Sequence, residues 1–236
     1  KTSGTVAYDA GISDSLSAFA SASERTTNFN AALAKDGTVD VTVTGTQTTA
    51  DHISALNLIV AGQTSGEVTA TISASKTIVA GLSGFTNKAL TTTVSDRMSV
   101  SEFDTLNAAT SVNVTLTSGL EDSLGNLAPS GSVASGVTAA MAQDADANVV
   151  VTGTVSADHA HLHTLAAAVG GTTTASVSGT ISQLTGITNT DTSDPITFTI
   201  SSGNASVSEL KTLSDNTSLA NICLLYTSDA ADDCVC

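Results

Sequence analysis

The sequence predicts an α/β fold built as a solenoid-like array of tandem strand–helix repeats with parallel strands. One short pattern recurs along the chain and is clearest at residues 99–116, SVSEFDTLNAATSVNVTL: a helix cap, a short amphipathic helix, a turn and an alternating strand. Strands centred near residues 70, 92 and 114 lie 22 residues apart, which is one strand–helix unit. Because strands joined by helices cannot form hairpins, they should lie parallel with right-handed crossovers. All-β sandwich repeats are the alternative and would require turns in place of the helix-period segments.

The segment at 99–116 shows how each part is assigned. Ser99 and Glu102 have the spacing of a capping box, in which the hydroxyl and the carboxylate each satisfy a backbone N–H at the start of a helix, and Ser206 and Glu209 repeat it. The helical face that follows includes Phe103 and Leu106. The period then changes to two, which indicates a strand with the apolar face Val112, Val114 and Leu116. The residues that we expect to be buried are Leu56, Leu106, Val112, Val114, Leu165 and Leu213.

Five segments follow one another along the chain. They are a degenerate N-terminal repeat at 1–37, a repeat array at 38–127, an irregular insertion at 128–148, a second repeat array at 149–222 and a tail at 223–236. The start of the tail, CLLYTSDAADD, resembles a translated sequencing adapter, so we expect the tail to lie outside the native fold. Since the chain begins at Lys1, we expect it to be an internal segment of a longer protein.

Composition and charge exclude several classes of partner. Acidic residues outnumber basic ones 22 to 7, and the net charge of −15 argues against binding to nucleic acid or to anionic membranes. The sequence has no run of about 18 apolar residues, which argues against membrane insertion. Hydrophobic residues make up 41% of the chain, which is too apolar for a disordered protein, and aromatic residues only 3%. The core should therefore be built from Val, Ile, Leu and Ala.

A family resemblance adds to this picture. The phrases VTATIS, VTGTVSADH and SVSEFDTLNAATSVNV, within residues 38–222, resemble the Thr/Ala/Val-rich tandem repeats of giant bacterial secreted and cell-surface proteins, including S-layer-like and adhesin-like proteins. The resemblance implies a structural or adhesive role in an extracellular or cell-surface location. Its implied partners are neighbouring repeats of the same longer chain, cell-surface glycans and other surface proteins. Such families often use calcium, although the Gly-rich nonapeptides of calcium-binding secretion repeats are absent from this sequence.

Two acidic loops are the candidate calcium sites. The candidate ligands are Asp144, Asp146 and Asn148 in one loop and Asp191 and Asp194 in the other. The first three form a D-x-D-x-N run like the start of a calcium loop. The rest of that motif fails, because Val149 and Val155 stand where its glycine and its bidentate glutamate belong. The alternative is that both loops are solvated acidic segments without a metal.

A histidine-rich helix supplies a second candidate metal site. His159 and His163 are spaced i and i+4, so that on a helix both imidazoles lie on one face and can reach one metal ion. A structural explanation competes with this one. His52 also follows an aspartate in another copy of the pattern, which indicates that the repeat favours a polar residue near the helix cap.

No motif for catalysis is present. The sequence lacks a nucleophile elbow, a glycine-rich phosphate loop and a recognisable pair of catalytic carboxylates. We therefore expect a non-enzymatic structural or adhesive repeat segment of a large secreted or surface-associated bacterial protein. The alternative is a carbohydrate-acting solenoid enzyme, and clustered carboxylates in a surface groove would favour it.

Overall fold

The computed structural model describes residues 7–63, 65–86, 88–156, 159–187, 190 and 193–218, together with the backbone of Cys223–Leu224. The chain divides into two compact units. The first consists of Lys1–Arg97 and Ser101–Thr117, and the second of Met98–Val100 and Ser118–Cys236.

The first unit is a parallel sheet whose strands follow one another in chain order. The strands are β1 (Ile12–Ser15), β2 (Val41–Gln47), β3 (Val68–Ala74), β4 (Ala89–Val94) and β5 (Val114–Leu116). The helices between them are α1 (Leu16–Phe19), α2 (Thr27–Leu33), α3 (Ala50–Gly62), α4 (Lys76–Val79) and α5 (Val100–Ala109), the last beginning at the unit boundary. Every pair of neighbouring strands is parallel, which confirms the predicted α/β class and the parallel pairing.

The strands β2 to β5 of the first unit bury one face. Along β3, Val68, Ala70, Ile72 and Ala74 are buried while the intervening threonines and serine are exposed. Thr49 caps α3 by accepting a hydrogen bond from the His52 N–H, and the helix then presents Leu56 to the core. Full burial of a leucine such as Leu56 stabilises the fold by about 1.5–3 kcal/mol.

The predicted core of the first unit is confirmed except at one residue. Leu56, Leu106 and Val114 are buried, whereas Val112 is 37% exposed. The Val112 N–H donates to the Thr110 Oγ1 at 3.1 Å, in a turn that comes before β5 starts at Val114. The prediction for Val112 was wrong because the alternating pattern of the sequence begins two residues before the strand does.

The second unit repeats this design. Its strands are β6 (Leu120–Ser123), β7 (Val149–Val155), β8 (Thr173–Thr180), β9 (Ile196–Ser202) and β10 (Cys223–Leu224), again parallel and in chain order. Its helices are α6 (Leu124–Leu127), a 3-10 turn (Pro129–Gly131), α7 (Ser135–Gln143), α8 (His159–Ala168), α9 (Ile181–Leu184) and α10 (Val207–Asp215). Leu165 and Leu213 are fully buried, as predicted. The predicted capping box of Ser206 and Glu209 opens α10.

Two segments differ from the sequence-based expectation. The segment 128–148, expected to be an irregular insertion, contains the 3-10 turn and α7, whose Val137 and Ala140 are buried. The tail 223–236 was expected to lie outside the fold, yet Cys223 and Leu224 pair with β9. The remainder of the tail lies outside the described residues.

The two units are copies of one pattern with a longer period than the strand–helix unit. Gly11 and Gly119, which immediately precede β1 and β6, are 119 − 11 = 108 residues apart, and so are Val41 and Val149 at the starts of β2 and β7. The strands β2 and β7 also share a register shift next to a glycine with positive φ, +79° at Gly45 and +77° at Gly153. Only glycine adopts this conformation without strain. The same irregularity has therefore been kept at the same place in both copies.

Candidate functional site

The first candidate calcium loop is organised around the backbone of the sheet. Asp144 is half-buried at the end of α7, and Asp146 and Asn148 are exposed in the loop before β7. The Asn148 Oδ1 accepts hydrogen bonds from the Thr172 N–H at 2.8 Å and from the Thr172 hydroxyl at 2.9 Å. This oxygen therefore already has two donors from the segment that enters β8.

In the second candidate loop, a side-chain oxygen likewise accepts a backbone N–H near the start of β8. Asp194 is only 7% exposed, and its Oδ1 accepts a hydrogen bond from the Thr173 N–H at 2.6 Å. Its backbone carbonyl accepts a further bond from the Ser218 N–H at 2.7 Å. Asp191 lies outside the described residues. The carboxylate of Asp194 thus joins the starts of β8 and β9.

The arrangement at Asn148 has a counterpart 108 residues earlier. The Asp40 Oδ1 accepts from the Glu67 N–H at 2.7 Å, while the Val41 N–H donates to the Glu67 carbonyl at 2.8 Å. In the second unit, the Val149 N–H donates to the Thr172 carbonyl at 2.9 Å, beside the bond from Thr172 to Asn148. We call these two arrangements, with that of Asp194 and Thr173, the strand-start brackets. Each satisfies a backbone N–H at the point where a strand begins.

Two threonine hydroxyls form similar hydrogen bonds at the starts of β4 and β9. The Thr110 Oγ1 lies 3.2 Å from the Leu90 nitrogen, whose N–H donates to it, and 2.9 Å from the Leu90 carbonyl oxygen. The Thr217 Oγ1 has the same two partners in Ile196, at 3.0 and 2.7 Å. All four bonds are buried. Polar side chains of both units are therefore used to fix the ends of strands.

Aspartates at the opposite ends of the strands accept hydrogen bonds from the first N–H groups of helices. The Asp96 Oδ2 accepts from the Lys76 N–H at the beginning of α4, and the Asp122 Oδ2 accepts from the Val100 N–H at the beginning of α5, both at 3.2 Å. The first N–H groups of a helix have no partner within the helix, and a carboxylate also suits the positive end of the helix dipole. Among the 22 acidic residues of the chain, those whose side chains thus accept backbone N–H groups include Asp40, Asp96, Asp122 and Asp194.

The histidine pair lies on one helix, but the two side chains have different environments. His159 is 9% exposed, and its Nε2 has no hydrogen-bond partner. A Cβ placed on Gly179 would lie 3.0 Å from that Nε2, so the glycine makes room for the imidazole. His163 is half-buried. Across the described parts of the chain, no three His, Cys, Asp or Glu side chains converge into a group that could hold a metal ion.

The first unit also contains a cleft of about 410 Å³ between α1, α3 and the end of β2, which we call the α1–α3 cleft. Its polar lining includes Ser17, Gln47, Asp51 and His52, and its apolar lining includes Leu16 and Ala55. Gln47 is 3% exposed, and its Nε2 donates to the Gly45 carbonyl at 2.9 Å. The His52 Nδ1 accepts from the Thr48 N–H at 3.1 Å.

Sequence analysis did not find this cleft. His52 stood out only as a polar residue near a helix cap, and Gln47 carried no signal of its own. One signal was available: Gly45 interrupts the alternation of β2, and an isolated glycine in a strand indicates a bulge or an open site.

Comparison with known proteins yields no relative: no family model, curated protein or solved structure matches the chain. Within the described residues, none of the helices combines the length and the apolar character needed to cross a membrane.

Proposed function

We propose that the chain is a non-enzymatic structural or adhesive repeat segment of a large secreted or surface-associated bacterial protein. The observation that carries the proposal is the use of its polar residues. Asp40, Asn148 and Asp194 hold the strand-start brackets, and Asp96 and Asp122 cap helices. These side chains stabilise the starts of strands and helices, and such positions recur in both units. A recurring structural use of polar side chains is expected of a structural repeat module.

The proposal includes a solenoid-like assembly with neighbouring repeats of the same longer chain as partners. Both sheets are parallel, keep their strands in chain order and bury alternate residues of their central strands. A layer of this kind can be extended one strand–helix unit at a time, because each unit needs contacts only with its neighbours. The 108-residue copies supply two such blocks within one chain.

The acidic surface supports an extracellular or cell-surface location. A net charge of −15 keeps such a protein soluble and disfavours nucleic acid as a partner. Its cysteines are confined to the tail, so the arrays themselves need no reducing compartment.

A carbohydrate-acting enzyme is the weaker candidate. Most glycoside hydrolases place two carboxylates on either side of the bond that is cleaved, about 5–10 Å apart. Among the described residues that line the α1–α3 cleft, Asp51 is the one carboxylate. One carboxylate can bind a hydroxyl group, but it does not complete that pair.

The proposal is tested on cells that carry the gene and on the purified chain. Antibodies raised against the purified chain should label intact cells, and the purified chain should release no reducing sugar from a panel of neutral and acidic polysaccharides. Labelling only after permeabilisation would contradict the surface role. Catalytic release of sugar that survives further purification would favour the enzyme.

A further inference from the structure

The α1–α3 cleft lies at the carboxyl ends of two parallel strands. The strands β1 and β2 both end at it, α1 begins directly after β1, and α3 follows β2 after a short turn. The volume of about 410 Å³ is in the range of small-molecule sites, roughly 300–1,000 Å³.

The bulge in β2 opens this end of the sheet. Pairing with β3 shifts between Val43 and Thr46, and Gly45 sits in the shift with φ of +79°. A Cβ on Gly45 would have no atom within 4 Å. The backbone at Gly45 therefore borders open space instead of packed side chains.

The polar groups of the cleft have defined hydrogen-bonding roles. The Gln47 Nε2 donates to the carbonyls of Thr44 and Gly45, at 3.4 and 2.9 Å, which leaves its Oε1 as an acceptor. Because the His52 Nδ1 accepts a backbone N–H, the neutral imidazole carries its proton on Nε2 and offers a donor. Asp51 adds carboxylate acceptors. Acceptor and donor groups in one cleft complement neighbouring hydroxyls, each of which can donate and accept.

The charge and the apolar lining narrow the ligand class further. The described residues that line the cleft include no Lys or Arg, and Asp51 is negative, so phosphates and acidic sugars are disfavoured. The half-buried Leu16 gives a small aliphatic surface suited to the C–H groups of a sugar ring. We propose that the α1–α3 cleft binds a neutral sugar unit of a glycan. The inference rests on the adhesive role proposed above and identifies the cleft as the place where the chain would bind a glycan.

The second unit provides an internal comparison, because it lacks the key groups. At the positions 108 residues later, Val155 replaces Gln47, His159 replaces Asp51 and Ala160 replaces His52. The 3-10 turn Pro129–Gly131 packs against α8 in this unit. One sugar site per chain is therefore expected, in the first unit.

The test is an NMR titration of the full chain with methyl α-D-glucopyranoside, methyl α-D-mannopyranoside, methyl β-D-galactopyranoside and, as an acidic control, methyl β-D-glucuronide. At least one neutral glycoside should shift the amide signals of Gly45, Gln47 and His52 saturably, with one site per chain. The glucuronide should not. The absence of saturable shifts with all three neutral glycosides, or saturable shifts confined to residues outside the cleft, would overturn the proposal.

Two variants and a matched control connect binding to the named groups. Gln47→Val should weaken binding by about tenfold or more, the effect of one well-placed hydrogen bond in a desolvated site. It should fold, since Val155 occupies that position in the second unit. The control is Ser123→Ala in the second unit, where Ser123 is the counterpart of Ser15, a residue that lines the cleft. This variant should bind like the unchanged chain.

If Gln47→Val does not fold, Asp51→Asn tests whether the α1–α3 cleft is the sugar site. This variant should fold, because Asp51 is exposed and asparagine keeps the shape of the side chain. We expect at least a threefold weaker affinity, and unchanged affinity would overturn the assignment. Cell labelling is a separate measurement, so the two proposals can fail independently. Surface labelling without sugar binding would reject the site alone, whereas sugar binding by a protein confined to the cell interior would reject the surface role alone.

Discussion

Adding one methyl group at Gly119 should destabilise the second unit far more than adding it at Gly153. Both glycines have positive φ, +82° and +77°, so alanine has a similar backbone cost of about 1–2 kcal/mol at either position. Their surroundings differ. A Cβ on Gly119 would clash with the carbonyl oxygen of Asn148, whereas a Cβ on Gly153 would meet nothing within 4 Å.

The extra cost at Gly119 comes from the backbone that must move. The Asn148 carbonyl accepts the Leu120 N–H at 2.8 Å, and the Asn148 side chain holds Thr172. Overpacking costs about 1–3 kcal/mol, and each weakened hydrogen bond costs about 1 kcal/mol. We therefore expect Gly119→Ala to lower the free energy of unfolding by about 3–5 kcal/mol and Gly153→Ala by about 1–2 kcal/mol.

Urea denaturation followed by NMR peak intensities measures this difference within the second unit, and it does not assume that the whole chain unfolds in one step. Gly11→Ala in the first unit should be milder than Gly119→Ala, because its Cβ would stand 2.9 Å from the Asp40 carbonyl oxygen. Equal losses for Gly119→Ala and Gly153→Ala would refute the close approach of the chain to Asn148.

Three further outcomes are expected. Asp194→Ala should cost about 1–3 kcal/mol, because it leaves the Thr173 N–H without its acceptor, and urea denaturation should give the same loss in calcium and in EDTA; a loss seen only in calcium would contradict the structural role. Calcium and magnesium should raise the melting temperature equally at matched ionic strength if they only screen the acidic surface, whereas a larger effect of calcium that Asp144→Ala with Asp146→Ala abolishes would establish a specific site. Hydrogen bonds from its capping serine hold the pKa of Glu209 below the ordinary value of about 4.3. Its contribution to stability is therefore present above that value and is lost as the pH falls through the folded-state pKa, so melting curves of the Glu209→Gln variant and the unchanged chain should differ at pH 7 and converge in acid; a difference that stays constant would exclude this linkage.

The elements with regular side-chain periodicity could be predicted from the sequence. Alternation in β3 and helical spacing in α3 follow from burial of one face of each element. Because successive strands are joined by helices, the same pattern implied parallel strands. Val112 was misplaced because alternation continues into the turn before β5. The helix α7 was missed because its small residues, SGVTAAMAQ, look like a loop until packing buries Val137 and Ala140.

The candidate sites were harder to predict because one chemical group serves several purposes. The oxygens that would bind calcium at Asn148 and Asp194 also accept backbone N–H groups, and composition does not distinguish these uses. The partner of each oxygen lies more than 20 residues away in the chain. The α1–α3 cleft depends in turn on a register shift at Gly45, which only strand pairing reveals.

Native-state hydrogen exchange at the amides of Glu67, Thr172 and Thr173 tests the central claim most directly, namely that acidic and amide side chains serve the backbone of the repeat. Each of these N–H groups donates to a side-chain oxygen at 2.6–2.8 Å. We expect all three to be protected to nearly the same degree as the amides of the adjoining strands. Exchange as fast as that of an exposed loop at all three positions would contradict the strand-start brackets and the structural role inferred from them.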